Sequence, residues 1–138
     1  MDRVIIAGSR EFYDYELLKK AADKCIGDDA TDVEVISGTA MGADRLGEQY
    51  AEERGFKVMR FPALWNKYGK SAGFIRNTQM AKYATANKDD DSVLIAFWDG
   101  KSNGTRHMIK QAESNGMKVY VVKYKANEYG DITEVEYV

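Results

Sequence analysis

The sequence predicts a three-layer α/β fold, a mainly parallel central sheet with helices on both faces. Three observations carry that expectation. Short apolar runs such as residues 3–7 (RVIIA) and 92–97 (SVLIAF) have the length and β-branched content of buried strands. Between them lie segments whose apolar residues recur at helical spacing. Runs and segments then alternate along the chain almost without exception, the pattern of parallel strands joined by crossover helices.

Taken in order, residues 3–7 form the first strand, which stops at Gly8-Ser9-Arg10. Over residues 13–26, Tyr15, Leu18, Ala22, Cys25 and Ile26 line one helical face, so Cys25 reads as a core residue and not a reactive thiol. Gly27 and an acidic stretch close that helix. Residues 33–36 form a second strand, broken by the small residues Ser37-Gly38-Thr39-Ala40. The chain resumes at Gly42-Ala43-Asp44 as a helix, with Ala43, Leu46, Tyr50 and Ala51 inward, and ends at Arg54-Gly55. A third strand, residues 57–61, is stopped by Pro62. Residues 63–73 have loop composition, and a loop that long in a compact domain often carries function. The next helix places Ile75, Met80, Tyr83 and Ala84 inward, and residues 87–91 read as a solvated acidic break. The most apolar strand, residues 92–97, should lie centrally. It ends at Trp98-Asp99-Gly100, and a helix begins near Gly104-Thr105 with Met108, Ile109 and Ala112 inward. Asn115-Gly116 ends that helix, residues 118–123 make a fifth strand, and the tail alternates as an edge strand or hairpin. No repeat or linker divides the chain, so residues 1–138 are expected to form one domain.

Composition narrows the function. The chain has 138 residues, 44% hydrophobic and 30% charged, with a formal net charge of −2. That balance disfavours a protein whose main task is gripping nucleic acid, which needs a basic excess. No apolar run approaches the roughly 18 residues of a membrane helix. The N-terminus reads as a strand and not as a signal peptide, and the expectation is a cytoplasmic protein without a membrane partner. One cysteine cannot form an intrachain disulfide, and one cysteine with one histidine cannot build a structural zinc site. No metal and no cofactor is expected.

The candidate site follows from the fold. Residues 8–10, 38–44, 62–65 and 98–105 each follow the C-terminal end of a strand, the edge at which an open α/β sheet holds its ligand. Strand, small-residue turn and helix at residues 33–46 aim backbone N–H groups and a helix dipole at one point, which attracts anions. Arg10, Arg45, Lys67, Lys70, Arg76, Lys101 and Arg106 gather on these loops in an otherwise acidic chain, favouring a phosphorylated ligand. Arg76 could pair two oxygens of one phosphate. Two Gly-Lys-Ser triplets, at Gly69 and Gly100, are decoys: a P-loop needs a further glycine where Leu64 and Ile95 stand. The turn Gly38-x-x-x-Gly42 is likewise not a GxGxxG dinucleotide fingerprint. Asp44 suits the first turn of a helix, whereas Asp99, at a strand end beside Gly100, could bond ribose hydroxyls or a base edge. His107 stands alone and reads as a helix-surface residue. Trp65 and Trp98 could stack a base or pack at the edge of the core.

The blocks GSREF at Gly8, SGTAMGADRLGEQYA from Ser37, FPALWNKYGKSAGFIRNTQM from Phe61 and AFWDGKSNGTRHMI from Ala96 resemble, in order, those of the YspA-like, cpYpsA-related SLOG family. The resemblance covers all but the last fifteen or so residues. It implies a Rossmann-like domain akin to those of DprA/Smf and LOG proteins. It also implies a pocket for a nucleotide or nucleotide-derived ligand, serving a sensor or ligand-processing module. Carried onto this chain, the binding positions are Gly8, Ser9, Arg10, Gly38, Gly42, Asp44, Arg76, Asn77, Gly100, Ser102, Gly104 and Thr105, to which the turn and strand-end arguments add Thr39 and Asp99. LOG-type enzymes carry a PGGxGTxxE-like turn whose glutamate serves N-glycosidic cleavage. Here the Gly104-Thr105 pair survives, but His107 and Met108 stand where the acid would be. The expectation is binding without efficient hydrolysis. The alternatives are a LOG-like hydrolase using Asp44 or Asp99, and a DprA-like nucleic-acid binder; a homo-oligomer is compatible with each.

Overall fold

The computed structural model describes residues 1–138. Its centre is one six-stranded sheet in the order β3-β2-β1-β4-β5-β6. The strands are β1 (Asp2–Gly8), β2 (Val33–Ser37), β3 (Lys57–Arg60), β4 (Asp91–Trp98), β5 (Lys118–Ala126) and β6 (Ile132–Tyr137). The first five pair in parallel, and β6 adds antiparallel to β5. The fold is therefore α/β and Rossmann-like, as the alternation predicts. The apolar strand β4 sits beside β1 at the centre, pairing along seven residues from Asp2–Asp91 to Gly8–Phe97.

Alternation along the strands divides the core in two. Val4 and Ile6 of β1, with Val33 and Val35 of β2 and Ile95 and Phe97 of β4, face α1 (Tyr15–Ile26) and α2 (Ala43–Arg54). Ile5 and Ala7, with Ile36, Leu94 and Ala96, face α4 (Ala72–Ala84) and α5 (Asn103–Ser114). Period-two side chains on strands buried on both faces require apolar residues at nearly every position, which is what RVIIA and SVLIAF supply. Gly47 of α2 lets that helix lie close on the sheet, since a Cβ there would meet Ile6 at 2.8 Å. Cys25 is half-buried and burial pushes its thiol up, consistent with a packing role.

Two local expectations are corrected. Residues 63–73 are not an extended loop: α3 (Trp65–Tyr68) and a 3₁₀ turn (Gly69–Ser71) lead straight into α4. The acidic break before β4 is also not simply solvated. Asp90 lies 3.4 Å from the N-terminal ammonium and 3.5 Å from Arg3, fastening the start of β4 to that of β1. No helix is long and apolar enough to cross a membrane.

Candidate functional site

The chain builds β1, β2 and β3 outward on one side, then returns through α4 to lay β4 on the other side of β1. The loops after β1 and β4 diverge at that reversal, and a cleft of about 380 Å³ opens between them. It is lined by Gly8, Ser9, Arg10 and Glu11 after β1, by Ala40 and Asp44 after β2, and by Asp99, Ser102, Gly104 and Thr105 after β4. Trp65, Lys70, Gly73, Phe74, Arg76 and Asn77 close it from the α3–α4 side. This is where an open α/β sheet binds ligands.

On the β4 side, Asp99 arranges the loop. Its Oδ1 accepts from the N–H groups of Lys101 (2.9 Å) and Ser102 (2.8 Å). Ser102 then caps α5, its Oγ accepting from the Thr105 N–H at 3.3 Å and from the Thr105 hydroxyl at 3.2 Å. The N–H groups of Asn103 and Gly104, earlier in that turn, have no helical acceptor. Gly104 lines the cleft, and the space beside it is open, since a Cβ there would meet nothing within 4 Å. Trp98 serves the same loop: its Nε1 donates to the Ser102 carbonyl at 3.1 Å, and Arg106 and Lys123 lie over its ring. Trp98 does not line the cleft, so of the two tryptophans only Trp65 does.

The β2–α2 turn differs from the open cradle its small residues suggest. The Thr39 N–H goes to Ser37 Oγ at 3.0 Å, and the Ala40 N–H to Asp44 Oδ2 at 3.2 Å. Space beside Gly38 is taken by Arg76 and Asp44, whose atoms lie 2.6 and 2.7 Å from where a Cβ would stand. Arg76 Nη1 donates to the Gly38 carbonyl. Gly42 faces the Ser9 and Arg10 carbonyls across a gap that excludes a side chain, and Gly100 sits against the Lys123 stem. Gly38, Thr39, Gly42 and Gly100 therefore shape the loops and do not line the cleft; Gly38 and Thr39 line a smaller neighbouring lobe.

A hydrogen-bond chain ties the two sides together. Arg76 Nε donates to Asn77 Oδ1 at 3.0 Å. Asn77 Nδ2 reaches the Gly104 carbonyl at 3.2 Å and His107 Nδ1 at 3.3 Å. Asn77 is buried, so its amide has no water to replace these partners. His107 is partly buried rather than a bare surface residue: it stacks on Phe74 at 4.4 Å, and burial, then Lys110, pull its pKa down. A neutral ring accepting at Nδ1 fits that environment.

Asp44, only 5% exposed, is pushed up to about 6. Burial is the main cause, opposed by the positive charge of Arg76 and by backbone N–H groups of Ala40 and Gly8. Burial also disfavours the Arg76 cation, which Asp44 supports and Arg10 opposes. Phe74, Glu11 and Gly73 were not singled out from sequence. The only pointer to Phe74 and Gly73 is their place in the block from Phe61 that contains Arg76-Asn77, and the only pointer to Glu11 is its place in the GSREF block.

Residues 2–68 match the family model described as YspA, cpYpsA-related SLOG family. Over 126 residues the chain is 34% identical to the Gene 61 protein of Mycobacterium phage D29, covering 86% of this chain and 94% of that protein. No solved structure matches. With the sheet order and cleft described above, these two matches establish that the chain belongs to the YspA, cpYpsA-related SLOG family.

Proposed function

We propose that this protein binds a nucleotide or nucleotide-derived, phosphate-bearing ligand in the cleft between the β1 and β4 loops, as a sensor or ligand-processing module. The observation that carries the reading is a cleft at the sheet's reversal point combining the open first turn of α5, the cations Arg10, Lys70 and Arg76, and the half-exposed rings of Trp65 and Phe74. Free N–H groups and a helix dipole suit a phosphate, the arginines add charge-assisted bonds, and the rings offer a face to a base. The cleft volume lies within the usual range for small-molecule sites, about 300–1,000 Å³. Membership of the SLOG family suggests nucleotide-related binding in general. In this reading the phosphate sits on the 102–105 turn, with Lys70 on the facing wall and Arg10 and Arg76 between it and the β2 side. Gly8, Ser9, Asp44, Asn77 and Asp99 set the shape of the floor, and the chain works as a single cytoplasmic domain.

Calorimetry with a panel of nucleoside 5′-monophosphates tests the reading. Gly104→Val puts a branched side chain into the open space beside the α5 turn, where a Cβ would meet no protein atom within 4 Å. It should weaken binding by at least about tenfold, or 1.4 kcal/mol, with the melting temperature nearly unchanged. Normal binding by the variant would remove the phosphate from this turn.

One observation favours a second reading, N-glycosidic hydrolysis. Asp44 lines the cleft with a pKa near 6, in the range of a group that exchanges protons at working pH. Against it, Asp44 is committed to backbone donors beside Arg76, Asp99 Oδ1 is committed to its own loop, and His107 is stacked on Phe74.

A further inference from the structure

Joined to the cleft past Ala40 and Trp65 is a smaller lobe of about 260 Å³. Its wall carries Arg10, Arg45 and Arg76 and no carboxylate. None of the three lies within 4.0 Å of an acid; the ion pairs of the chain use Met1, Arg3, Arg54, Arg60 and Lys125 instead. Asp44 supports the charge of Arg76 and Arg10 opposes it, so one carboxylate beyond the lobe serves a cluster of three cations. The backbone carries a second mark. Thr39, on the same wall, has a φ of 64°, a region that is costly for a β-branched residue and that concentrates at ligand clamps. Arg45 Nε donates to the Thr39 carbonyl at 3.3 Å, which leaves its two terminal nitrogens uncommitted. Three guanidinium groups with no acid within 4.0 Å, one of them steered by a strained turn, form a site for an oxyanion.

We infer that this lobe takes a second phosphoryl group of the same ligand, which is therefore a nucleotide with phosphates on opposite sides of a nucleoside. The inference rests on the nucleotide reading above and adds the spacing. The first phosphate position lies beyond the end of β4 and the lobe beyond the end of β2. Strand β1 stands between them in the sheet, so the strand ends lie two strand spacings, about 10 Å, apart, and the guanidinium groups of Arg10 and Arg76, which line both cavities, shorten the gap a ligand must span. Phosphoryl groups that share a bridging oxygen, as in a nucleoside diphosphate, are too close to fill both. Phosphates at the two ends of a ribose, as in a nucleoside 3′,5′-bisphosphate or a 5′-phosphorylated dinucleotide, reach across. The nucleoside then crosses the end of β1 beside Trp65, which lines both cavities.

Calorimetry on the full chain, at one salt concentration and for each common base, compares four probes: the 5′-monophosphate, the 5′-diphosphate, the 3′,5′-bisphosphate and the 5′-phosphorylated dinucleotide. The tighter of the last two identifies the source of the second phosphate. At least one of them should bind about tenfold or more tightly than the monophosphate, the gain of one charge-assisted contact, and the diphosphate should not match it. Arg45→Gln should collapse that ratio and Arg45→Lys should restore part of it. Equal affinity for mono- and bisphosphorylated probes, a diphosphate as tight as the best of them, or a ratio untouched by Arg45→Gln would overturn the second position while leaving nucleotide binding in place. Failure of every probe to bind would overturn both.

Discussion

Asp44 gives the cleft a measurable pH signature. Its carboxyl, 5% exposed, has a pKa of about 6 in the folded chain against 3.8 when unperturbed, chiefly because burial strips water from the charged form. Below pH 3.8 the group is protonated in both folded and unfolded chains and costs nothing. Between the two values the folded chain holds the proton that the unfolded chain has released, so stability falls as pH rises. Above about pH 6 the group is ionised in both states and the whole difference counts against folding. A shift of roughly two units at 1.36 kcal/mol each gives a loss of about 3 kcal/mol across that window. Asp44→Asn keeps an oxygen for the Ala40 N–H and cannot ionise, so it carries a fixed offset and no such slope. Urea unfolding of both proteins from pH 4 to pH 8 should show the wild type losing about 2.5 kcal/mol relative to the variant, most of it before pH 7. The positive charge of Arg76 opposes the shift, so Arg76→Ala should move the inflection upward and cost more stability at pH 8 than at pH 4. Parallel pH profiles for wild type and Asp44→Asn would show that the carboxylate is solvated or fully paired, and the account of the cleft floor would fail.

Three further outcomes follow from the same contacts. Asn77→Leu strands the Arg76 Nε and the Gly104 carbonyl in a buried setting and should cost about 1–3 kcal/mol in chemical denaturation, together with weaker nucleotide binding. Gly42→Ala forces a side chain toward the Ser9 and Arg10 carbonyls at a φ of 84°. It should lower stability by more than about 1 kcal/mol, visible as a drop in melting temperature. Incubation with nucleoside monophosphates should release no free base at an ordinary enzymatic rate of about one per second or faster; turnover abolished by Asp44→Asn would install the hydrolase reading instead.

Much of the architecture is legible in the sequence because it depends on local pattern. A strand buried on both faces must be apolar throughout, and an amphipathic helix must repeat near every third or fourth residue. β1, β4 and α1 through α5 announce themselves in those terms, except where single turns at residues 65–71 are too short to show a period. Strand order is not local, but alternation of strand and helix leaves few arrangements, and all of them put residues 8–10 and 98–105 at the same edge. What stayed hidden are the partnerships made by long polar side chains across great sequence distance. Arg76 and Gly38 are 38 residues apart, and Asn77 and Gly104 are 27 apart. No spacing rule connects them.

Under the proposed function, those two contacts bear on which end of the cleft can offer backbone N–H groups to a phosphate. By composition the 37–42 turn is the better cradle, small and glycine-bearing ahead of a helix. In three dimensions Arg76 covers Gly38, and Ser37 and Asp44 take the Thr39 and Ala40 N–H groups, so the turn has few donors left to offer. The 102–105 turn is the alternative, with His107 and Met108 where an enzyme-type acid would stand but its Gly104-Thr105 pair intact. Yet there the single carboxylate of Asp99 satisfies the loop, Ser102 caps the helix, and the Asn103 and Gly104 N–H groups remain open. Arg76 thus closes one anion position and, with Arg10 and Arg45, lends its charge to the lobe beside it, so the β2 side can attract an anion only through side chains. A ligand that bridges the two sides must therefore meet backbone donors at one end and guanidinium groups at the other. Salt should then weaken the guanidinium end more than the backbone end, because exposed side-chain charges are screened over about 8 Å at physiological ionic strength.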